Sequence, residues 1–166
     1  MKTDAHKNPT TVKMSSDREV VVTRTFDFPA RLVFEAWSTP ELFRQWWVPR
    51  SLGATLRSCE LDMRTGGTYR LEFGEDPADT MAFFGRYLEV VPNSRIVWTN
   101  DEGGAESASV TTVTLQERDG KTDLVLSELY PSKEAFDAAG TGAQDALSET
   151  FGQLDEVLTA LAAASA

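Results

Sequence analysis

Leu147-Ser148-Glu149-Thr150-Phe151-Gly152-Gln153-Leu154-Asp155-Glu156-Val157-Leu158-Thr159-Ala160-Leu161 is the stretch that decides the fold. Leu147, Phe151, Leu154, Leu158 and Leu161 recur at spacings of three and four, which lines them along one side of an α-helix. The pattern predicts a long C-terminal helix beginning near Ala143, preceded by a shorter turn from Lys133 to Ala139. A helix with one continuous apolar stripe must bury that stripe against something.

The cover lies upstream, where the period falls from 3.6 to two. Strands are expected at Glu19–Phe28, Ala54–Met63, Thr68–Phe73, Thr80–Val91, Arg95–Asn100, Ser107–Glu117 and Lys121–Tyr130. Thr65-Gly66-Gly67, Pro92-Asn93-Ser94 and Arg118-Asp119-Gly120 punctuate them as turns, the Asp-Gly pair being a strong hairpin signal. Loops are expected at Gly74–Asp79 and Asp101–Glu106. Gly85, inside a strand, is expected to mark a bend or bulge. Between the first two strands, Leu32, Val33, Ala36 and Trp37 form one short amphipathic helix. Leu42, Phe43, Trp46 and Trp47 form a second, with Thr39 as N-cap, Pro40 at its first position and Pro49 ending it. The fold class is therefore α+β: a seven-stranded antiparallel sheet curved around a long C-terminal helix, with two short helices after the first strand.

Residues 1–17 are polar and are expected to form a disordered N-terminal tail, with Met14 as an alternative start; residues 18–163 form one domain. No apolar signal segment or membrane-length run is present, which predicts a cytoplasmic protein without a membrane span. The net charge is −10, with Lys and Arg scattered singly, so no nucleic-acid partner is expected. The single Cys and single His (Cys59 and His6) leave no means to build a Cys/His zinc site or a histidine-activated nucleophile. No cofactor or metal is expected. Glu60, Asp62, Glu72, Glu75, Asp76 and Asp79 lack the ligand spacing of a calcium loop and read as solvated charge.

Several motifs, in order, resemble the activator of heat-shock protein 90 ATPase homologue family. They are Phe34-Glu35-Ala36-Trp37-Ser38-Thr39-Pro40-Glu41-Leu42 with Trp46-Trp47-Val48-Pro49; Asp62-Met63-Arg64-Thr65-Gly66-Gly67; and Gly85-Arg86-Tyr87-Leu88-Glu89-Val90-Val91-Pro92 with Arg95-Ile96-Val97-Trp98-Thr99. That family belongs to the START-like (SRPBCC, Bet v-like) superfamily. The resemblance implies a helix-grip fold with a hydrophobic cavity between sheet and helix. Many members carry Trp where this chain has Phe151, so a smaller ring is expected to reshape the cavity.

Four Trp, nine Phe and three Tyr supply the interior. Tyr69, Leu71 and Phe73 share one strand face, as do Met81, Phe83, Gly85 and Tyr87, and Ile96, Trp98 and Asn100. These rings either fill a core or leave room for an apolar ligand with a few polar anchors. Of Trp46 and Trp47, one is expected in the core and the other near the cavity mouth. The expected ligand-binding set is Trp46, Arg57, Tyr69, Phe73, Phe83, Trp98, Glu128 and Phe151. Glu128 shares parity with Leu124 and Leu126, and Arg57 with Thr55 and Cys59, so the two charges could pair inside. Cys59 reads as a small buried residue, and Asp62 and Arg64 as residues that fix the Gly66-Gly67 turn.

Three functions are open to such a chain. It binds a small hydrophobic molecule such as a lipid or aromatic metabolite. Or it is a cyclase- or hydrolase-type enzyme working through Glu128, Arg57 and Tyr69. Or it is a stress-related partner of heat-shock protein 90. Association as a homodimer is compatible with each.

Overall fold

Asp119 and Gly120 take left-handed backbone angles (φ 54° and 79°), as a two-residue hairpin turn demands. They fold β7 (Ser109–Arg118) back onto β8 (Lys121–Leu129). From this central hairpin the sheet grows both ways in the order β1-β2-β8-β7-β6-β5-β4-β3, every neighbouring pair antiparallel. The remaining strands are β1 (Thr11–Ser16), β2 (Glu19–Phe26), β3 (Leu56–Leu61), β4 (Thr68–Phe73), β5 (Met81–Val91) and β6 (Arg95–Asn100). Helices α1 (Ala30–Ser38) and α2 (Pro40–Trp46) follow β2, and α3 (Lys133–Ala139) and α4 (Gly142–Ser165) close the chain. This computed structural model describes residues 10–53, 56–74, 78, 80–101, 108–139 and 142–165. The expected positions at Met1–Pro9, Ala54 and Thr55, Ser107, and most of the two acidic loops lie outside the described residues.

The sheet has eight strands, one more than expected. The addition is β1, within the segment read as tail, which pairs with β2 from Thr11↔Thr23 to Ser16↔Glu19. All six of its residues are exposed, so it carries none of the burial signal that identifies the other strands. Its hydrogen bonds to β2 hold it in place, together with Arg24, whose guanidinium donates to the Thr10 hydroxyl at 3.2 Å.

The inner face follows from the pairings. Val20, Val22, Arg24 and Phe26 on β2 stand opposite Glu128, Leu126, Leu124 and Thr122 on β8. Thr111, Val113 and Leu115 on β7 stand opposite Glu128, Leu126 and Leu124. Across this face α4 lays Phe151, Leu154 and Leu158, all fully buried, as its stripe requires. Phe151 meets Phe26 edge-to-face at 5.9 Å. Each such ring contributes roughly 1.5–3 kcal/mol by leaving water.

Two polar fixtures hold α4 at its angle. Gln153 is 3% exposed. Its amide nitrogen donates to the Trp46 and Val48 carbonyls at 3.1 and 2.9 Å, and its oxygen accepts the Arg50 N–H at 2.9 Å. Arg24 forms an ion pair with Asp155 and joins β2 to the helix. Thr39 is the N-cap residue of α2, but its side chain makes no cap bond; its carbonyl accepts the Leu42 and Phe43 N–H groups. Asp62 and Arg64 pair beside the Gly66-Gly67 turn, with Arg64 Nε 3.0 Å from both carboxylate oxygens.

Candidate functional site

The expected ligand-binding residues divide into three groups. Trp46 and Phe151 are fully buried packing residues. Trp46 lies 4.8 Å from Trp37 between ring centroids and donates its indole N–H to the Ala36 carbonyl at 3.0 Å. Trp47, half-buried, stacks on Phe43 at 4.9 Å, and Trp98 meets Trp37 at 5.7 Å. This aromatic block closes the interior beneath α1 and α2.

Arg57 stands apart. A register shift between Leu56 and Ser58 breaks the parity that would have turned it inward, and its side chain is exposed. Four strands (β4, β5, β6 and β7) separate β3 from β8. That places Arg57 five strand spacings, about 24 Å measured along the sheet, from Glu128. The two do not form the inward pair the sequence suggested.

Tyr69, Phe73, Phe83, Trp98 and Glu128 do share the concave face. Tyr69 is opposite Gly85, Leu71 opposite Phe83, and Phe73 opposite Met81. Phe73 and Phe83 meet edge-to-face at 5.3 Å. Phe83 remains 38% exposed and Met81 63% exposed, so an apolar surface stays accessible on this wing.

Beside that wing runs a chain of polar side chains. The Tyr69 hydroxyl donates to the Thr99 carbonyl at 2.8 Å and lies 3.1 Å from Asn100 Oδ1. Asn100 Nδ2 donates to Ser109 Oγ at 2.9 Å and Thr111 Oγ1 at 3.1 Å. Ser109 Oγ donates to Glu128 Oε2 at 3.1 Å. Tyr130 completes the chain by hydrogen bonding to Glu128; burial first, then the Glu128 charge, push its phenol up to about 12. The chain thus crosses β4, β6, β7 and β8 and ends on a half-buried carboxylate.

Gly85 makes the crossing possible. A Cβ there would lie 1.8 Å from the Thr99 carbonyl oxygen and 2.9 Å from the Tyr69 ring. Bare backbone at this position lets Tyr69 reach over β5 to β6. The β5–β6 pairing runs from Tyr87↔Trp98 to Val91↔Arg95 with a register shift between Tyr87 and Glu89, and the Arg86 N–H donates to the Thr99 hydroxyl at 3.0 Å. The irregularity expected at Gly85 is therefore a close approach.

Sequence reasoning placed Glu128 and Tyr69 on the inner face but did not select Ser109, Thr111 or Tyr130. Ser109 and Thr111 share parity with Val113 and Leu115, which is the signal that could have found them. Cys59 is half-buried, and burial pushes its thiol up to about 11, which favours the thiol over the reactive thiolate. Among the described residues, no group of three His, Cys, Asp or Glu is arranged to hold a metal ion, and no helix is long and apolar enough to cross a membrane. Two open surface hollows, one bounded by Pro40, Leu61 and Thr68 and one by Thr11, Thr23 and Val125, touch neither Ser109 nor Glu128.

Comparison with known proteins agrees with this fold. The family described as Activator of Hsp90 ATPase homolog 1-like protein matches residues 27–159. A crystal structure of a Rhodobacter sphaeroides protein is similar with a TM-score of 0.80 at 23% identity, covering 92% of this chain and 99% of that one. A Nitrosomonas europaea protein gives 0.78 at 22% identity over 90% and 99%. A Rhizobium leguminosarum protein gives 0.65 at 26% identity over 92% and 97%. No curated protein matches the chain.

Proposed function

The chain belongs to the Activator of Hsp90 ATPase homolog 1-like family, and from that premise we propose that it binds a small hydrophobic molecule between the concave sheet and α4. The ligand body lies on the apolar wing of Phe73, Met81 and Phe83, and its polar end meets Asn100, Ser109, Thr111 and Glu128. The observation that carries this reading is the polar chain from Tyr69 to Glu128, turned toward the interior beside aromatic surface that stays accessible. Inward polar groups add only a modest net stability per hydrogen bond, so packing a core does not by itself call for them. A site that orients a ligand needs both components, an apolar wall and a few fixed polar groups.

The test is a thermal-shift and native mass-spectrometry screen with aromatic and aliphatic molecules. The expected outcome is a retained one-to-one complex and a rise in Tm that saturates with ligand concentration. Replacing Phe83 by Asp should abolish both while leaving the unliganded Tm within a few degrees, since Phe83 is 38% exposed. A screen with no binder, or binding unaffected by Phe83→Asp, contradicts the proposal.

A further inference from the structure

The charges around the polar chain carry the reading one step further, to the chemistry of the ligand's head group. By register, the carboxylate and guanidinium side chains on the inward face of the described strands are Arg24, Glu117 and Glu128, and Glu117, at the hairpin end of β7, accepts the Ala30 N–H. Arg24 is committed to Asp155 and Thr10. It also lies four residues along β2 from Val20, the residue opposite Glu128, or about 13 Å at the rise of a strand. The cations nearest the Glu128 end of the sheet are engaged outside it. Arg18 donates to the Tyr130 and Pro131 carbonyls, Arg86 pairs with Asp101, and Lys133 pairs with Asp137.

Three further stretches hold no cation. Residues 74–80, 102–107 and 134–166 contain no Lys or Arg, so two loops and all of α4 are uncharged or acidic. An anionic ligand would enter a field set by a net charge of −10 and find a carboxylate at the end of the polar chain. A ligand with a hydroxyl or ammonium group would find an acceptor held in place by two donors, Ser109 and Tyr130.

We propose that the site selects ligands whose polar end donates hydrogen bonds, namely alcohols, phenols and amines, and rejects carboxylates and phosphates. This rests on the binding function proposed above. The test uses four probes with one aromatic body: 2-methylnaphthalene, 2-naphthalenemethanol, 2-naphthylmethylamine and 2-naphthoate, titrated calorimetrically at pH 7 in 0.05 and 0.5 M salt. The alcohol and amine should bind at least about tenfold more tightly than the carboxylate, the least that one hydrogen bond to a charged group supplies. High salt should narrow the gap without closing it, because local contacts are screened less than the long-range field. Glu128→Gln should cost the amine about tenfold and improve the carboxylate, and Ser109→Ala should weaken the alcohol and the amine more than 2-methylnaphthalene.

If the carboxylate binds the wild-type chain as tightly as the alcohol, the head-group selectivity is overturned while the pocket stands. If none of the four binds, including 2-methylnaphthalene, the pocket reading fails and the selectivity with it.

Discussion

At the scale of single residues, the site depends on one hydrogen atom at Gly85. A methyl group there would lie 1.8 Å from the Thr99 carbonyl oxygen, a backbone atom that cannot swing aside. Gly85→Ala is therefore expected to lower stability by about 2–3 kcal/mol, the range of an overpacked position. It should also withdraw Tyr69 from Asn100. Urea denaturation measures the first effect, and the tyrosine hydroxyl exchange rate the second; a neutral Gly85→Ala would mean that Tyr69 reaches β6 by another route. The neighbouring polar residues were only partly legible in the sequence. Parity on a strand says which residues share a face, but not which partner on the next strand stands opposite. Ser109, Asn100 and Glu128 became one group only when the registers Asn100↔Ser109 and Thr111↔Glu128 were fixed. Arg57 shows the converse: one irregular residue in β3 reverses an otherwise sound alternation.

At the scale of elements, the C-terminal helix was the most readable part, because a stripe of five large apolar residues has few alternative explanations. What the stripe does not encode is how α2 is fastened to it. Gln153 supplies that, bonding two carbonyls and one N–H in the segment from Trp46 to Arg50. No alanine could satisfy them, and the Trp46 carbonyl lies in a buried setting. Gln153→Ala is expected to cost about 2–3 kcal/mol, and Gln153→Glu at least as much because two carbonyls would then face a carboxylate. The midpoint of urea unfolding reads both; a loss below about 0.5 kcal/mol would mean that water replaces the side chain freely. The first strand was the least readable element. Val12 and Met14 alternate with Thr11 and Lys13 as a strand should, yet both remain exposed, at 43% and 54%. Without burial, six residues of alternation look no different from a polar tail.

At the scale of the whole molecule, the acidic composition sets the response to pH. Hydrogen bonds and cations hold several carboxyls below their ordinary range: Asp123 through Thr25 and Arg118, Glu156 through Arg50, and Glu149 through the Ser51 side chain and backbone. Each contributes stability that is present above its unfolded value and lost as pH falls through its depressed folded value. Asp155 has the opposite sign. Burial, only partly countered by Arg24, raises its carboxyl, so the folded chain takes up that proton at a higher pH than the unfolded chain does. The urea midpoint should therefore fall between pH 5 and 3, and fall more steeply in Asp155→Asn, where the compensating uptake is gone. A slope unchanged by that substitution would remove Asp155 from the balance.

The architecture itself was legible because strand alternation, turn residues and the helical stripe all led to one arrangement. The use of its interior was less so, because a filled core and a binding site draw on the same aromatic residues. In the structure Trp37, Trp46 and Phe151 are packed shut, while Phe73, Phe83 and Glu128 keep accessible surface. The most direct test of the central claim is a backbone amide NMR titration of the intact chain with 2-naphthalenemethanol. Saturable shifts concentrated at Phe83, Asn100, Ser109, Thr111 and Glu128, with Trp46 and Phe151 little changed, are the predicted result. Shifts confined to the outer face of the sheet, or none at all, would contradict it.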